Sequence, residues 1–399
     1  MRSTLVPERL VAGGDALARD EDGRVVFVAG ALPGERVEVE VWEQRRDFGR
    51  GRTVRVVGPS GDRVDPPCVH RRAGCGGCDW MHLDPAAQLH AKTEIVRESL
   101  VRVGRFDAGE VGELVVDGGR VPPSSYRTTV RVVGGDARRP GFRRERSDEL
   151  VAVDSCLVAH PRLSSLLGSV EIGPGVELTL RTSVATGETT AAWSPRDRRA
   201  VVGLPADVRT GRRASLREIV AGRELRVTAT AFFQSGPAAA ELLVGAVARA
   251  VSDVAAEARR AVDAYGGGGL FASTVLADLD EVIVLESSAV ACDDARHNLR
   301  DRQAVVVEGD AGRWRAEQGA IDLVVADPAR AGLGRRGVEA LTSAAPAPIV
   351  LVSCDPVSMA RDAALLRERG YRPESLEVLD LFPQTHHVET VTRFAAATS

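Results

Sequence analysis

One cysteine in the C-terminal part of the chain stands where its thiol could act as a nucleophile. Cys354 directly follows an apolar run in the segment LVSCDPVSMARD (351–362), and a helical pattern begins at Pro356. A strand that ends in a reactive residue and leads into a helix is how an α/β protein presents that residue at the carboxyl edge of its sheet. Because the thiolate is the attacking form of cysteine, the sequence predicts an activated thiol at such an edge.

Acidic residues end the predicted strands around this cysteine. Glu286 ends EVIVLE, Asp310 follows AVVVEG, and Asp327 ends IDLVVAD. The first strand of the region runs into the glycine-rich turn of VDAYGGGGLFA (262–272), where the backbone can approach a ligand closely. Asp263 precedes these glycines, which does not fit a dinucleotide fingerprint. The pattern is therefore more typical of a methyltransferase that uses S-adenosylmethionine (SAM) than of a dehydrogenase.

Four further cysteines offer a set of metal ligands. Three are clustered and one is distant: Cys68, Cys75, Cys78 and Cys156. Four thiolates can hold a [4Fe–4S] cluster or a tetrahedral zinc ion, and the spacing alone leaves both open. It is not the C-x3-C-x2-C spacing of radical SAM enzymes, which disfavours a radical mechanism. The sixth cysteine, Cys292, lies in a predicted helix and is interpreted as a small buried apolar residue.

Three regions must position these groups. Residues 1–58 contain short β segments separated by Gly and Pro, which predicts a small OB-like β-barrel. Residues 59–222 hold the clustered cysteines and strand-like pieces, and we expect a small α+β central domain. Residues 223–399 alternate apolar strands with helices, which predicts a Rossmann-like α/β domain around a parallel sheet. A helix over 84–104, with Asp84 as its N-cap, is expected to pack with this last domain.

The composition is that of a globular protein. The chain has 399 residues, of which 44% are hydrophobic and 27% are charged, and no apolar stretch reaches the ~18–20 residues of a membrane span. The first residues show no apolar signal-peptide core, so we expect a cytoplasmic protein, with a monomer as the default. The net charge of −4 argues against a globally basic nucleic-acid binder. Residues 120–146 nevertheless carry eight arginines against two acidic residues.

Five motifs occur in the order in which one enzyme family has them. They are AFFQSG (231–236), DAYGGGGLF (263–271), DPARAGL (327–333), LVSCDPVSMARD (351–362) and DLFPQTHHVETV (380–391). Together they resemble the signature motifs of the RNA uracil-C5 methyltransferases, which make 5-methyluridine in rRNA or tRNA. VFVAGALPGERVEVEV resembles that family's N-terminal TRAM domain, an OB-like RNA-binding barrel. CVHRRAGCGGCDWMHL, together with Cys156, resembles its iron–sulfur region.

The resemblance implies a mechanism and the residues that carry it. It assigns Cys354 as the nucleophile that adds to uracil C6, which makes C5 nucleophilic enough to accept a methyl group. It assigns Glu389 as the base that then removes the C5 proton. It places the SAM site at side chains around the strand ends: Gln234, Tyr265, Leu270, Glu286, Asp310 and Asp327. It also favours a [4Fe–4S] cluster over zinc on the four cysteines, and it makes Tyr126 and Arg127 candidate RNA contacts.

The chain departs from the family pattern at a few positions. Gly266 stands where a cysteine is usual, Ala329 where a proline is usual, and Ser235-Gly236 where Val-Asn is common. None of these changes removes a group that the mechanism requires. Two other interpretations stay open: a noncatalytic RNA-binding protein on a methyltransferase scaffold, and an amino-group methyltransferase. The latter usually has an Asn/Asp-Pro-Pro-aromatic motif where this chain has DPAR. Of the RNA substrates, rRNA is preferred and tRNA stays open.

Overall fold

The N-terminal region is a six-stranded sheet with a core of its own. The computed structural model describes residues 2–195, 197, 199–315, 321–343 and 347–396. The strands are β1 (Arg2–Leu5), β2 (Arg9–Leu10), β3 (Ala16–Arg19), β4 (Val25–Ala29), β5 (Arg36–Gln44) and β6 (Phe48–Gly58). Their order in the sheet is β1-β5-β6-β4-β3-β2. Val26 and Val28 alternate with more exposed neighbours, as a strand with one buried face requires.

A second sheet forms the middle of the molecule. Its strands are β8 (Thr129–Gly134), β9 (Pro140–Arg143), β10 (Leu150–Ala152), β12 (Glu177–Thr182), β13 (Thr189–Ser194) and β15 (Val208–Thr210). They follow the order β10-β9-β8-β12-β13-β15. Helix α4 (Pro161–Ser169) covers the sheet with three buried leucines, and the short strands β11 (Glu171–Ile172) and β14 (Val201–Val202) pair beside it. A hairpin of β16 (Ser215–Val220) and β17 (Arg223–Thr228) leads to the C-terminal region.

The C-terminal region is an eight-stranded sheet in the order β20-β19-β18-β21-β22-β24-β23-β7, with β7 (Val115–Arg120) at one edge. Seven of the strands are β18 (Arg260–Ala264), β19 (Glu281–Glu286), β20 (Ala304–Glu308), β21 (Leu323–Ala326), β22 (Ile349–Ser353), β23 (Tyr371–Asp380) and β24 (Glu389–Ala396). The helices are α5 (Pro237–Val251), α6 (Leu270–Ser273), α7 (Ala289–Asn298), α8 (Gly334–Thr342) and α9 (Pro356–Glu368). β18 to β22 run parallel, while β24 is antiparallel to both of its neighbours. The predicted α/β class is confirmed.

The eighth strand comes from a distant part of the chain. After α1 (Val69–Arg72), helix α2 (Pro85–Arg102) and helix α3 (Ala108–Leu114) lead into β7 (Val115–Arg120). β7 pairs in parallel with β23, although sequence placed it inside the central region. Parallel pairing over such a separation leaves no local pattern in the sequence, since nothing near β7 marks its partner.

Helix α2 joins the N-terminal and C-terminal regions. The Asp84 side chain accepts a hydrogen bond from the backbone N–H of Ala86, which is the predicted N-cap geometry. Val96 and Leu100 enter the core beneath the C-terminal sheet, while Ile95 enters the core of the N-terminal sheet. In the part of the chain that the structure describes, no helix is long and apolar enough to span a membrane.

Candidate active site

Cys354 and Glu389 lie at the same edge of the C-terminal sheet. Ser353 at the end of β22 pairs with Thr390 in β24. The next residues of these two antiparallel strands, Cys354 and Glu389, therefore stand opposite each other. Asp327 follows β21, the other neighbour of β22, and its carboxylate interacts electrostatically with both groups. The structure thus brings together a thiol and two carboxyl groups from three adjacent strands.

The Cys354 thiol is held in its protonated form by this setting. Its pKa is raised to about 12, chiefly by burial and in smaller part by the charges of Glu389 and Asp327, while Arg330 acts in the opposite direction. Cys354 also precedes Asp355, whose side chain caps the 13-residue helix α9 by accepting a hydrogen bond from Ser358 N–H. A helix N-terminus favours an anion. Because the pKa of Cys354 is nevertheless about 12, a further positive charge near the thiol would be needed to make the thiolate abundant.

Glu389 and Asp327 are buried acids with little compensation. Burial, reinforced by Asp327, raises the pKa of Glu389 well above its ordinary value. Burial likewise raises the pKa of Asp327 to about 7. Within the described residues Oε1 of Glu389 has no hydrogen-bond partner, and Asp327 Oδ2 accepts only a long bond of 3.5 Å from Gln234 Nε2. Such raised pKa values and unpaired atoms suit a carboxylate that takes up a proton during a reaction.

The other predicted cofactor residues surround the carboxyl ends of β18 and β19. Glu286 Oε2 accepts a hydrogen bond from Gly267 N–H at 3.0 Å, and its Oε1 accepts one from Ser288 N–H at 2.6 Å. Tyr265 adopts a positive φ of 59° at the start of the glycine turn. Leu270 begins α6 after Gly269. Asp310 lies farther out, exposed, and caps a short 3-10 turn.

The glycine turn at this edge is tightly packed on its inner side. A Cβ at Gly266 would lie 2.8 Å from Val284 Cγ1 and 2.9 Å from Asp263 Cγ, so the cysteine that the family usually carries there would need its neighbours to shift. Asp263 itself is fully buried and accepts a hydrogen bond from Ala272 N–H at 3.0 Å. It therefore fixes the turn from inside.

The four predicted metal ligands line one cavity. Cys68, Cys75, Cys78 and Cys156 surround a space of about 280 Å³ beside Arg71 and Arg127. Among the described residues, however, no group of three or more His, Cys, Asp or Glu side chains is arranged to hold a metal ion. Burial raises the pKa of Cys78 to about 12 and also raises those of Cys75 and Cys156. These thiols are therefore protonated at neutral pH unless a metal replaces their protons.

A cleft lies between the N-terminal sheet and the segment that precedes Glu389. It has a volume of about 460 Å³, and its walls come from all three regions of the molecule. Its lining includes Arg127, Arg143, Arg144, Arg146, His386 and His387. Arg330 Nη2 lies 2.9 Å from His387 Nε2, and the two histidine rings are 4.3 Å apart. Burial together with His386 and Arg330 lowers the pKa of His387 to about 3, so this ring is neutral.

Sequence reasoning missed several residues that shape this edge. Asp79, Gln88 and Lys92 contact the loop between β23 and β24, directly before Glu389. Lys92 could have been singled out from the sequence, because it is the only lysine among 52 Lys and Arg residues. Such an exception indicates a position that arginine does not fit. Arg330 also stood in a quoted motif, but its contact with His387 joins segments 57 residues apart.

The known proteins to which this chain is similar include several RNA methyltransferases. Residues 8–54 match the TRAM domain family. An uncharacterized RNA methyltransferase of Streptomyces avermitilis is 34% identical over 95% of this chain and 94% of its own length. The 23S rRNA (uracil(1939)-C(5))-methyltransferase RlmD of Halomonas elongata is 33% identical over 98% of this chain and 89% of its own length.

A solved structure shares the fold of the whole chain. It is the tRNA (uracil-54, C5)-methyltransferase of Pyrococcus abyssi in complex with S-adenosyl-L-homocysteine. The TM-score is 0.73 at 23% sequence identity, and the match covers 99% of this chain and 100% of that one. All three regions therefore have the same arrangement in both proteins.

Proposed function

Since the chain belongs to the family of RNA uracil-C5 methyltransferases, we propose that it transfers a methyl group from SAM to C5 of one uridine in ribosomal RNA. The observation that carries the proposal is the position of Cys354 opposite Glu389 at the edge that Asp327 completes. An amino-group methyltransferase has no use for such a pair, and neither does a noncatalytic RNA-binding protein.

The two residues divide the reaction into addition and release. Sγ of Cys354 adds to C6 of the uracil ring, so that the electron pair moves toward C5 and C5 forms the bond to the incoming methyl group. Glu389 then removes the C5 proton, the C5–C6 double bond re-forms, and the bond to Sγ breaks. The raised pKa of Glu389 makes it a stronger base than a solvent-exposed carboxylate.

The residues at the strand ends fit SAM. We assign Glu286 to the ribose hydroxyls, which is the role of acidic strand ends in related nucleotide sites. The glycine turn lets the backbone approach a ligand closely, and Gln234 contacts Asp327, whose charge acts on Cys354. When bound there, SAM would supply the methyl group on a positively charged sulfonium. That positive charge would lower the pKa values of Cys354, Glu389 and Asp327 and so favour the thiolate and the carboxylates that the reaction needs.

The substrate must present its uridine outside a helix, because a buried cysteine cannot reach a stacked base. Arginines line the cleft that ends at His386 and His387, and they suit the RNA backbone. Two arginines lie over aromatic rings of the N-terminal sheet. Arg146 of the central region lies over the half-exposed Trp42, and Arg50 lies over Phe27 and Phe48. Such platforms stack unpaired bases. The 23S rRNA activity in the name of the Halomonas relative favours ribosomal RNA. The proposal has the enzyme act in the cytoplasm, as a monomer.

For the four cysteines we propose a [4Fe–4S] cluster that stabilises the central region. Zinc with Zn–S bonds of about 2.3 Å requires sulfurs that converge on one point, whereas these four surround a cavity of about 280 Å³. A cluster held by four thiolates fits that donor set. Anaerobically purified protein should contain iron and sulfide. Cys75→Ser should lose both and become less soluble, while Cys292→Ser keeps them. Stoichiometric zinc without iron would refute this assignment.

The test of the function is the product in RNA. 5-Methyluridine should be lost from one position of the 23S rRNA in cells without the gene and return with the wild-type gene. The purified enzyme should methylate a 23S rRNA fragment that contains this position, and a tRNA transcript should be a poor substrate. Loss of the mark from tRNA alone would overturn the choice of substrate, and no change in any RNA would overturn the function.

A further inference from the structure

The loop that precedes Glu389 is held from outside the sheet. It comprises residues 381–388, the eight residues between the end of β23 and the start of β24. We propose that Gln88, Lys92 and Asp79 are positioning residues that fix this loop and thereby place Glu389 for proton removal. The proposal rests on the proposed function and names residues that act through the base.

Gln88 holds the middle of the loop. Its Oε1 accepts a hydrogen bond from Gln384 N–H at 2.7 Å, and its Nε2 donates to Gln384 Oε1 at 3.3 Å. The same Nε2 lies 2.9 Å from the carbonyl oxygen of Leu83, so the amide cannot turn freely. Gln384 has a positive φ of 72°, which a non-glycine residue keeps only where its surroundings enforce it.

Lys92 holds the beginning of the loop. It stands one helical turn after Gln88 on the same face of α2, and its side chain has no exposed area. Nζ donates to Asp380 Oδ1 at 2.6 Å and to the carbonyl oxygen of Phe382 at 3.2 Å. A compact ammonium group suits two acceptors in a fully buried position, whereas a guanidinium group would bring five donors that need partners. This accounts for the one lysine in the chain.

Asp79 holds the end of the loop. Its Oδ2 lies 2.6 Å from His386 Nδ1, and its Oδ1 accepts a hydrogen bond from His386 N–H at 3.3 Å. The neighbouring Trp80 N–H donates to the carbonyl oxygen of Gln384 at 3.0 Å. A Cβ at Gly14 would lie 2.8 Å from both Asp79 Oδ2 and His386 Cβ, so the N-terminal sheet closes over this contact.

These contacts bear on the base because Glu389 is the first residue of β24. It pairs with Leu379, so the loop begins and ends beside it. In the described part of the chain no hydrogen bond reaches its Oε1, and its position depends on the backbone that carries it. A displacement of about 1 Å in a reacting group can cost about 100-fold in rate. Addition of Cys354, which directly follows β22, does not depend on the loop in this way.

Two kinds of RNA separate the two steps. With 5-fluorouridine at the target the base cannot act, and adduct formation reports addition and methyl transfer alone. With ordinary uridine, adduct accumulates only if proton removal is slow. Gln88→Ala and Asp79→Asn should form the fluorinated adduct at near wild-type rates, while their turnover on ordinary RNA should fall about 10- to 100-fold. In these variants a denaturation-resistant adduct should accumulate on ordinary RNA.

The matched control is Gln303→Ala, which removes an exposed glutamine before the edge strand β20 and should behave as wild type in both assays. Variants that release product at the wild-type rate, or that lose formation and release equally, would overturn the proposal. If Gln88→Ala does not fold, Asp79→Asn decides, since it keeps the size of the side chain. Failure of the wild type to trap on fluorinated RNA would instead refute the proposed function itself.

Discussion

Two groups of buried ionisable side chains flank the loop of residues 381–388, and they differ in whether the charge of each group is compensated by a partner. Before the loop, Lys92 and Asp380 form an ion pair at 2.6 Å with neither side chain exposed beyond 1%. After it, Glu389 shares its surroundings with Asp327 and Cys354, which are acids like itself. The first group compensates charge where the chain must be held still. The second leaves charge uncompensated, because a group that must gain or lose a proton cannot be locked in one state.

The sharpest test of this contrast removes the nucleophile. Cys354→Ala should lower turnover by at least about 1,000-fold, since no other described group at the edge can add to C6, and it should form no adduct with fluorinated RNA. Radiolabelled methyl transfer measures both. Cys292→Ala, which changes a buried cysteine in α7, should keep near wild-type turnover. Methylation by Cys354→Ala at the wild-type rate would end the assignment.

Replacing the base should separate activity from stability. Glu389→Gln should lower turnover about 100- to 10,000-fold and trap the methylated adduct on ordinary RNA. Its free energy of unfolding should not fall, because a buried carboxyl group with a raised pKa does not stabilise the fold as an anion at neutral pH. Urea denaturation measures this, and a large loss of stability would mean that the edge is a structural site after all.

Breaking the ion pair between Lys92 and Asp380 should, in contrast, lower the stability of the protein. Lys92→Met leaves the Asp380 carboxylate buried without a partner and should cost about 3–5 kcal/mol of unfolding free energy. Adding Asp380→Leu should recover most of this loss, since an apolar pair of similar size replaces a buried ion pair at little cost. Urea midpoints of both variants give the answer. A single variant as stable as the wild type would show that the ion pair does not hold the loop.

A smaller effect concerns the pH dependence of stability. Burial raises the pKa of Asp263 to about 7 from an ordinary value of 3.8, so the folded state holds a proton that the unfolded state loses between these values. Its contribution is fully present below about pH 4 and is lost as the pH rises through 7. Asp263→Asn should therefore flatten the decline of unfolding free energy between pH 4 and 7. Parallel curves for the two proteins would contradict the raised pKa.

The sequence singled out Cys354 because the signals around it are local. Cys354 ends an apolar strand and Asp84 caps a helix, and both features can be recognised within a dozen residues. The family resemblance added Glu389, whose neighbours alone would not distinguish it from a structural carboxylate. The fold class and the all-β N-terminal region follow from periodicity in the same way.

The features that the sequence did not predict depend on contacts between distant segments of the chain. Lys92 meets Asp380 across 288 residues, and Asp79 meets His386 across 307, so no spacing rule connects them. The strand β7 was missed for the same reason. The cavity shared by Cys78 and Cys156 also appears only when β8 and its neighbours bring the two segments together.

The position of β7 has a consequence for how the protein is made. Its partner strand β23 begins about 250 residues later, and at a translation rate of ~5–20 residues per second the ribosome needs roughly 10–50 s to supply it. During that interval α2 and β7 have emerged without the sheet that they complete. A chain that ends before β23 would lack both this partner and Glu389. Incomplete translation products should therefore be inactive and open to proteolysis, and they cannot persist as partly functional enzymes.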